Sequence, residues 1–159
     1  MPKVSLKRIE INNVIAGVMA LLKCKENKQE FNTALIRNKR FLKVEVEEYG
    51  ERMQKFQEDV NKIITEHCKK DSSGHAITHT IGTGEMVQTG YEGLQPGECP
   101  AYDSEIKAIT DAQKAYRNEV VEVDYYILKK EFLPKTGWGA EMDAVLPITD
   151  IKFDDEKEE

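Results

Sequence analysis

Histidine and cysteine are the first places to look for chemistry in this chain. His67, Cys68, His75, His79 and Cys99 form its one collection of metal-like residue types. A protein zinc site needs a compact set of three or four donors, and its sequence signature is a closely spaced pair such as Cys-x2-Cys. No such pair exists here. His75 and His79 are four apart, which would align them on a helix, but their Gly- and Thr-rich surroundings disfavour one. The sequence therefore predicts no metal and no cofactor. Ile81-Gly-Thr-Gly-Glu85 shares its glycines with phosphate-cradling loops. It lacks the buried strand before, the capped helix after and the Gly-x-x-Gly-Lys-Ser pattern, so it reads as a turn. Glu45, Glu47, Glu48, Glu51, Glu58 and Asp59 fall on the solvent side of a long helix. A general acid needs burial or a like-charged neighbour in a cleft. With no Gly-x-Ser-x-Gly and no Cys/His nucleophile context, the expectation is a protein that is not an enzyme.

What remains is the chemistry of recognition. Tyr91, Tyr102, Tyr116, Tyr125, Tyr126 and Trp138 are spread through the second half, several beside glycine-rich stretches. Aromatic residues on such loops often mark contact surfaces. Core packing is at least as good a reading for Tyr116, Tyr125 and Trp138. His79, Met86, Tyr91 and Tyr102 are the residues expected to meet a protein partner.

The element that must position them is a long helix from about Leu35 to His67. Leu42, Val46, Tyr49, Met53, Phe56, Val60 and Ile63 lead to His67 in steps of 4-3-4-3-4-3-4. That spacing makes one apolar seam on an otherwise charged helix, as in coiled coils. Such a helix needs a partner, and the seam predicts a homo-oligomer interface where the chain does not cover it. Gly50 interrupts the helix at a cost of about 1 kcal/mol relative to Ala, which predicts a close backbone contact or a slight bend.

Before this helix, Val4–Ile11 reads as a strand or extended lead-in. Asn12 or Asn13 can cap a helix carrying Val14, Ile15, Val18, Met19 and Leu22. The short link 25–30 predicts an antiparallel hairpin of the two helices. Residues 72–100 are a glycine-rich insertion, in which 76–81 and 85–89 are β-prone and fit a hairpin or a mobile loop. Asp103 can cap a further helix whose Ile106, Ile109, Gln113, Tyr116 and Val120 step 3-4-3-4, the natural intrachain partner for the long seam. Val121, Val123, Tyr125 and Ile127 then alternate as a strand that can pair with Val4–Ile11. A turn over 134–139, an extended segment over 146–153 and an acidic tail over 154–159 complete the chain. The expected architecture is α+β and mostly α: a long helical hairpin with a small sheet or hairpin at one end, in a single domain over 1–153.

Composition sets outer bounds. Of 159 residues, 40% are apolar and 33% charged, which suits a folded chain. The net charge of -6 argues against sequence-independent nucleic-acid binding, and Arg37, Lys39, Arg40 and Lys43 read as a solvated helix face. The most apolar run, Val14–Leu22, is far shorter than the roughly 20 residues that span a bilayer, and no signal-peptide arrangement accompanies it. An odd count of 3 cysteines without close pairing fits reduced thiols and a cytoplasmic setting.

Three segments resemble a family of small phage and prophage proteins known only as a domain of unknown function. They are Leu6-Lys-Arg-Ile-Glu-Ile-Asn-Asn-Val-Ile15, Glu66-His-Cys-Lys-Lys-Asp71 and Glu119-Val-Val-Glu-Val-Asp-Tyr-Tyr-Ile127, within residues 4–133. The stretches 74–100 and beyond 134 depart from that pattern. The resemblance implies a phage-encoded protein in the host cytoplasm. It would inhibit a host defence system by binding a host protein or sequestering a signalling nucleotide, or else serve as a structural or assembly factor.

Overall fold

The computed structural model describes residues 2–133 and 139–151. Trp138, most of the expected turn over 134–139 and the acidic tail lie outside them. The fold is α+β and mostly helical. In order it comprises β1 (Lys3–Lys7), α1 (Arg8–Leu21), α2 (Gln29–His67), β2 (Thr78–Ile81), β3 (Gln88–Tyr91), α3 (Pro100–Asn118), β4 (Val120–Asp124) and α4 (Ala140–Val145). Packing groups the described residues into two compact units. One holds the described residues up to Gly50 and the described residues after Tyr116, and the other is Glu51–Tyr116.

In the first unit, β1 pairs antiparallel with β4, with Val4 opposite Val123 and Leu6 opposite Val121. This is the predicted strand pair. The lead-in strand is shorter than expected, because it turns into helix at Arg8 and not after Asn12 or Asn13. The Glu10 carboxylate accepts the Lys7 amide at 2.7 Å, which satisfies a first-turn donor and sets the helix start there. The Arg8 amide donates to the Glu119 carbonyl at 3.0 Å and closes the ladder. Its guanidinium lies 3.4 Å from Glu45 and 3.2 Å from Glu119, tying α1, α2 and the start of β4 together. Asn27 spans the link between α1 and α2, donating to the Leu21 carbonyl at 2.6 Å and to Asn32 Oδ1 at 3.0 Å.

The core of this unit takes Ile11, Val14 and Val18 from α1, Phe31, Leu35 and Leu42 from α2, and Leu6 and Val123 from the sheet. Met142, Val145 and Ile148 close it. The last three correct an expectation. The segment from Leu146 is a 3-10 turn (Leu146–Ile148) that follows α4, not an extended strand, and only a single bridge, Leu128 to Thr149, is strand-like. α4 packs close to α1 because position 17 is glycine. A Cβ there would lie 2.8 Å from the Glu141 carbonyl oxygen and 3.0 Å from Ala144 Cβ.

One seam position carries a polar residue. Asn38 sits between Leu35 and Leu42 in the heptad and is 0% exposed. Its side chain acts as a strand partner to Tyr126. Nδ2 donates to the Tyr126 carbonyl at 2.7 Å and to the Ala34 carbonyl at 3.0 Å, and Oδ1 accepts the Tyr126 amide at 2.8 Å. All its strong hydrogen-bonding groups are satisfied, as burial requires.

Every residue of the predicted seam is buried or half-buried within one chain. Leu42, Tyr49 and Phe56 are buried, and Val46, Met53, Val60 and Ile63 are half-buried. Gly50 is different. Nothing lies within 4 Å of a Cβ built on it, so no close backbone contact explains this glycine.

Candidate functional site

The second unit holds the residues expected to meet a partner. Its frame is the end of α2 packed antiparallel on α3, the pairing predicted from the two matching seams. Gln113 Nε2 donates to Met53 Sδ at 3.5 Å, and the Phe56 and Tyr116 rings lie 6.2 Å apart. Arg52 covers both rings, 5.2 Å from Phe56 and 5.6 Å from Tyr116. Further along, His67 Nε2 lies 2.7 Å from Glu105 Oε2. Val120, placed in the α3 seam from sequence, belongs instead to β4 and is exposed, because the helix stops at Asn118. α3 also starts earlier than expected, with Pro100 in its first turn, where a missing amide and a fixed φ suit a helix start. Asp103 lies inside that first turn, and its carboxylate accepts the Gly97 amide at 3.2 Å.

The glycine-rich stretch forms a hairpin. β2 and β3 pair antiparallel, with Thr78 opposite Tyr91, His79 opposite Gly90 and Ile81 opposite Gln88. Its base is bonded to the end of α2. The Lys69 amide donates to the Glu92 carbonyl at 2.9 Å, and the Ile77 amide donates to the Lys69 carbonyl at 3.0 Å. Before it, Asp71 Oδ1 accepts the Ser73 and His75 amides at 2.9 and 3.0 Å, a side-chain-closed turn.

His79 locks this hairpin to the following loop. Its Nδ1 lies 3.0 Å from Glu92 Oε1, and its Nε2 lies 3.0 Å from Gln95 Nε2. Gln95 can only donate through that atom, so Nε2 accepts, while Nδ1 is buried beside the Glu92 carboxylate without a hydrogen bond in place. The ring lies over Gly90, where a Cβ would collide with it and with Ile81 Cδ1. Thus His79 acts from within the hairpin as a fastener.

Tyr91 and Tyr102 are both half-buried. Burial pushes the Tyr102 phenol above its ordinary value of 10.0, and the Asp103 carboxylate and Tyr91 add to the effect. Met86 stands apart, 81% exposed in the loop joining β2 to β3. The structure therefore gathers His79, Tyr91 and Tyr102 at the hairpin base and leaves Met86 at its tip. Val87, Ile77 and Ile81 are exposed on the same hairpin, and sequence reasoning passed over them. The alternation of Ile77, His79 and Ile81 was the signal that could have found two of them.

The metal-like residues do not assemble as a set. Among the described residues, one group of metal-donor type comes together, Glu66, His67 and Glu105, with donor atoms within 4.8 Å of one another. His67 is half-buried and both carboxylates are exposed, and the short His67–Glu105 contact serves as a tie between α2 and α3. All three cysteines are free thiols, Cys68 buried and Cys24 exposed. No helix among the described residues is long and apolar enough to cross a membrane.

The chain matches no family model, no curated protein and no solved structure.

Proposed function

We propose that this protein is a non-enzymatic binding protein that docks a protein partner through the β2–β3 hairpin. The observation that carries the reading is Met86, 81% exposed at the hairpin tip, with Val87 exposed next to it and Ile81 and Ile77 exposed further down the hairpin toward its base. Single exposed apolar residues are ordinary on a soluble protein, but several on one short element mark an interaction surface. The hairpin is anchored at its base by the backbone bonds from Lys69 and Ile77 and by the His79 contacts to Glu92 and Gln95. A pre-ordered loop loses little entropy on binding, so more of the contact energy appears as affinity.

The partner class follows from the resemblance to small phage proteins and from charge. An acidic protein at net -6 complements a basic surface, which fits a host defence component held inactive in the cytoplasm. The second reading is an assembly factor for a tail or capsid. Self-association remains part of the proposal, and the exposed Ile36, Phe41 and Val44 on α2 offer a face for it that the covered seam does not.

The test compares immobilised wild type with a variant carrying Met86→Asp and Val87→Asp in lysate of the host. One discrete protein retained by the wild type and lost from the variant supports the reading. Equal retention by both refutes the hairpin as the contact. Recovery of the protein from purified virions would decide for the assembly role.

A further inference from the structure

The first unit contains a cleft that neither the hairpin nor the seam accounts for. It measures about 480 Å³ and opens between the first turns of α2 and the segment that follows β4. Gln29, Glu30 and Arg37 line one side, and Tyr126, Lys129 and Phe132 the other. A neighbouring cavity of about 350 Å³ shares Tyr126 and Lys129, so Tyr126 stands as a wall common to both.

Tyr126 is held by unusual means. Its peptide groups are gripped by the fully buried Asn38, at 2.7 and 2.8 Å. Its ring stacks with Phe41 at 5.9 Å and 21° and carries Arg37 Cζ 4.6 Å from its centroid. A guanidinium laid on an aromatic ring keeps its in-plane N–H donors free, already aligned as the fork that takes a phosphate or carboxylate in two bonds. Among the described residues, neither Arg37 nor Lys129 has a carboxylate within ion-pair distance. In a protein with excess negative charge, the cleft thus concentrates two unpaired cations against one lining carboxylate, Glu30.

The size selects among anions. The volume is in the range of small-molecule sites, and inorganic phosphate would leave most of it empty. Ile127 and Phe132 give an apolar surface for a flat ring, while Gln29, Glu30 and Thr33 give polar groups for hydroxyls or amines.

We propose that this cleft binds a nucleoside monophosphate, with its phosphate on Arg37 and Lys129 and its ring against Phe132 and Ile127. The site is separate from the hairpin and stands whether or not the hairpin docks a protein.

Titration calorimetry on the full chain tests this with the four common ribonucleoside monophosphates, inorganic phosphate and adenosine as probes. At least one monophosphate saturates the protein, with phosphate and adenosine each weaker by roughly tenfold or more. Arg37→Gln weakens that nucleotide about tenfold or more, and Arg37→Lys recovers only part of the loss because it keeps the charge and loses the fork. The variant with Met86→Asp and Val87→Asp binds like the wild type, which separates this site from the hairpin. Circular dichroism confirms that the Arg37 variants fold. Failure of all four nucleotides to saturate overturns the proposal. So does phosphate binding as tightly as the best nucleotide, or undiminished binding by folded Arg37→Gln.

Discussion

Replacing Asn38 with alanine should destabilise the first unit by about 3 kcal/mol. The substitution strips the Tyr126 amide and carbonyl of the partners they meet at 2.8 and 2.7 Å. A buried polar group left unpaired costs about 1–3 kcal/mol, and because Tyr126 is itself half-buried the lower end applies, about 1 kcal/mol for each group. Truncating a fully buried side chain leaves a void that adds roughly another 1 kcal/mol. Out of a typical domain stability of about 5–15 kcal/mol this is a large fraction. With a urea dependence of about 2 kcal/mol per molar, the unfolding midpoint followed by circular dichroism should fall by roughly 1.5 M. Asn38→Asp should lose at least as much, because a carboxylate can accept the Tyr126 amide but cannot donate to the Tyr126 and Ala34 carbonyls. Asn38→Leu is the sharpest variant, since it restores an apolar seam and keeps the volume. If Asn38→Leu were as stable as the wild type, the side chain would not be clamping Tyr126, and the Tyr126 wall of the cleft would not be held in place by it.

The two glycines in helices α1 and α2 give opposite predictions for the same change. Gly50→Ala should stabilise by about 1 kcal/mol, because it adds helix propensity where a Cβ meets nothing within 4 Å. Gly17→Ala gains the same propensity but drives a Cβ to 2.8 Å from the Glu141 backbone oxygen, so a net loss of about 1 kcal/mol or more is expected in the same urea assay. Tyr102 should titrate above 10.0 in a phenolate absorbance titration, and Tyr102→Phe should remove that high component. Because its folded value is raised, the neutral phenol is the form the fold favours. The associated stability is full below pH 10.0 and lost as pH climbs through the raised value, so alkaline unfolding should set in later for Tyr102→Phe.

Periodicity made the helical frame legible. The seam from Leu42 to Ile63 and its match from Ile106 to Tyr116 located two helices and their pairing, because each repeats the same local spacing over several turns. The β1–β4 pair was legible for the same reason, through alternation at Val121 and Val123. Boundaries were harder where two signals overlapped. Ile9 and Ile11 suit the end of a strand or the first turn of a helix, and the Glu10 to Lys7 contact that decides the matter is invisible as a pattern. α4 escaped notice because six residues are too few to show a period, and its docking depends on the absence of a Cβ at Gly17. Asn38 lies one turn before Leu42, where the seam read from the sequence begins. Its partner Tyr126 is 88 positions away, so no local spacing could reveal the clamp. The cleft is hidden in the same way, since Arg37 and Lys129 meet only through the fold. Of the hairpin residues, Tyr91 and Met86 were accessible through composition, whereas the role of His79 required Glu92, Gln95 and Gly90 in three dimensions.

The hairpin tip is the proposed contact surface for a protein partner. Amide hydrogen exchange on the complex with the captured partner tests it most directly. Binding should slow exchange across Ile77–Tyr91 while α1 and α4 exchange as in the free protein. Protection confined to α1, α4 or the Tyr126 cleft, with the hairpin unchanged, would contradict it.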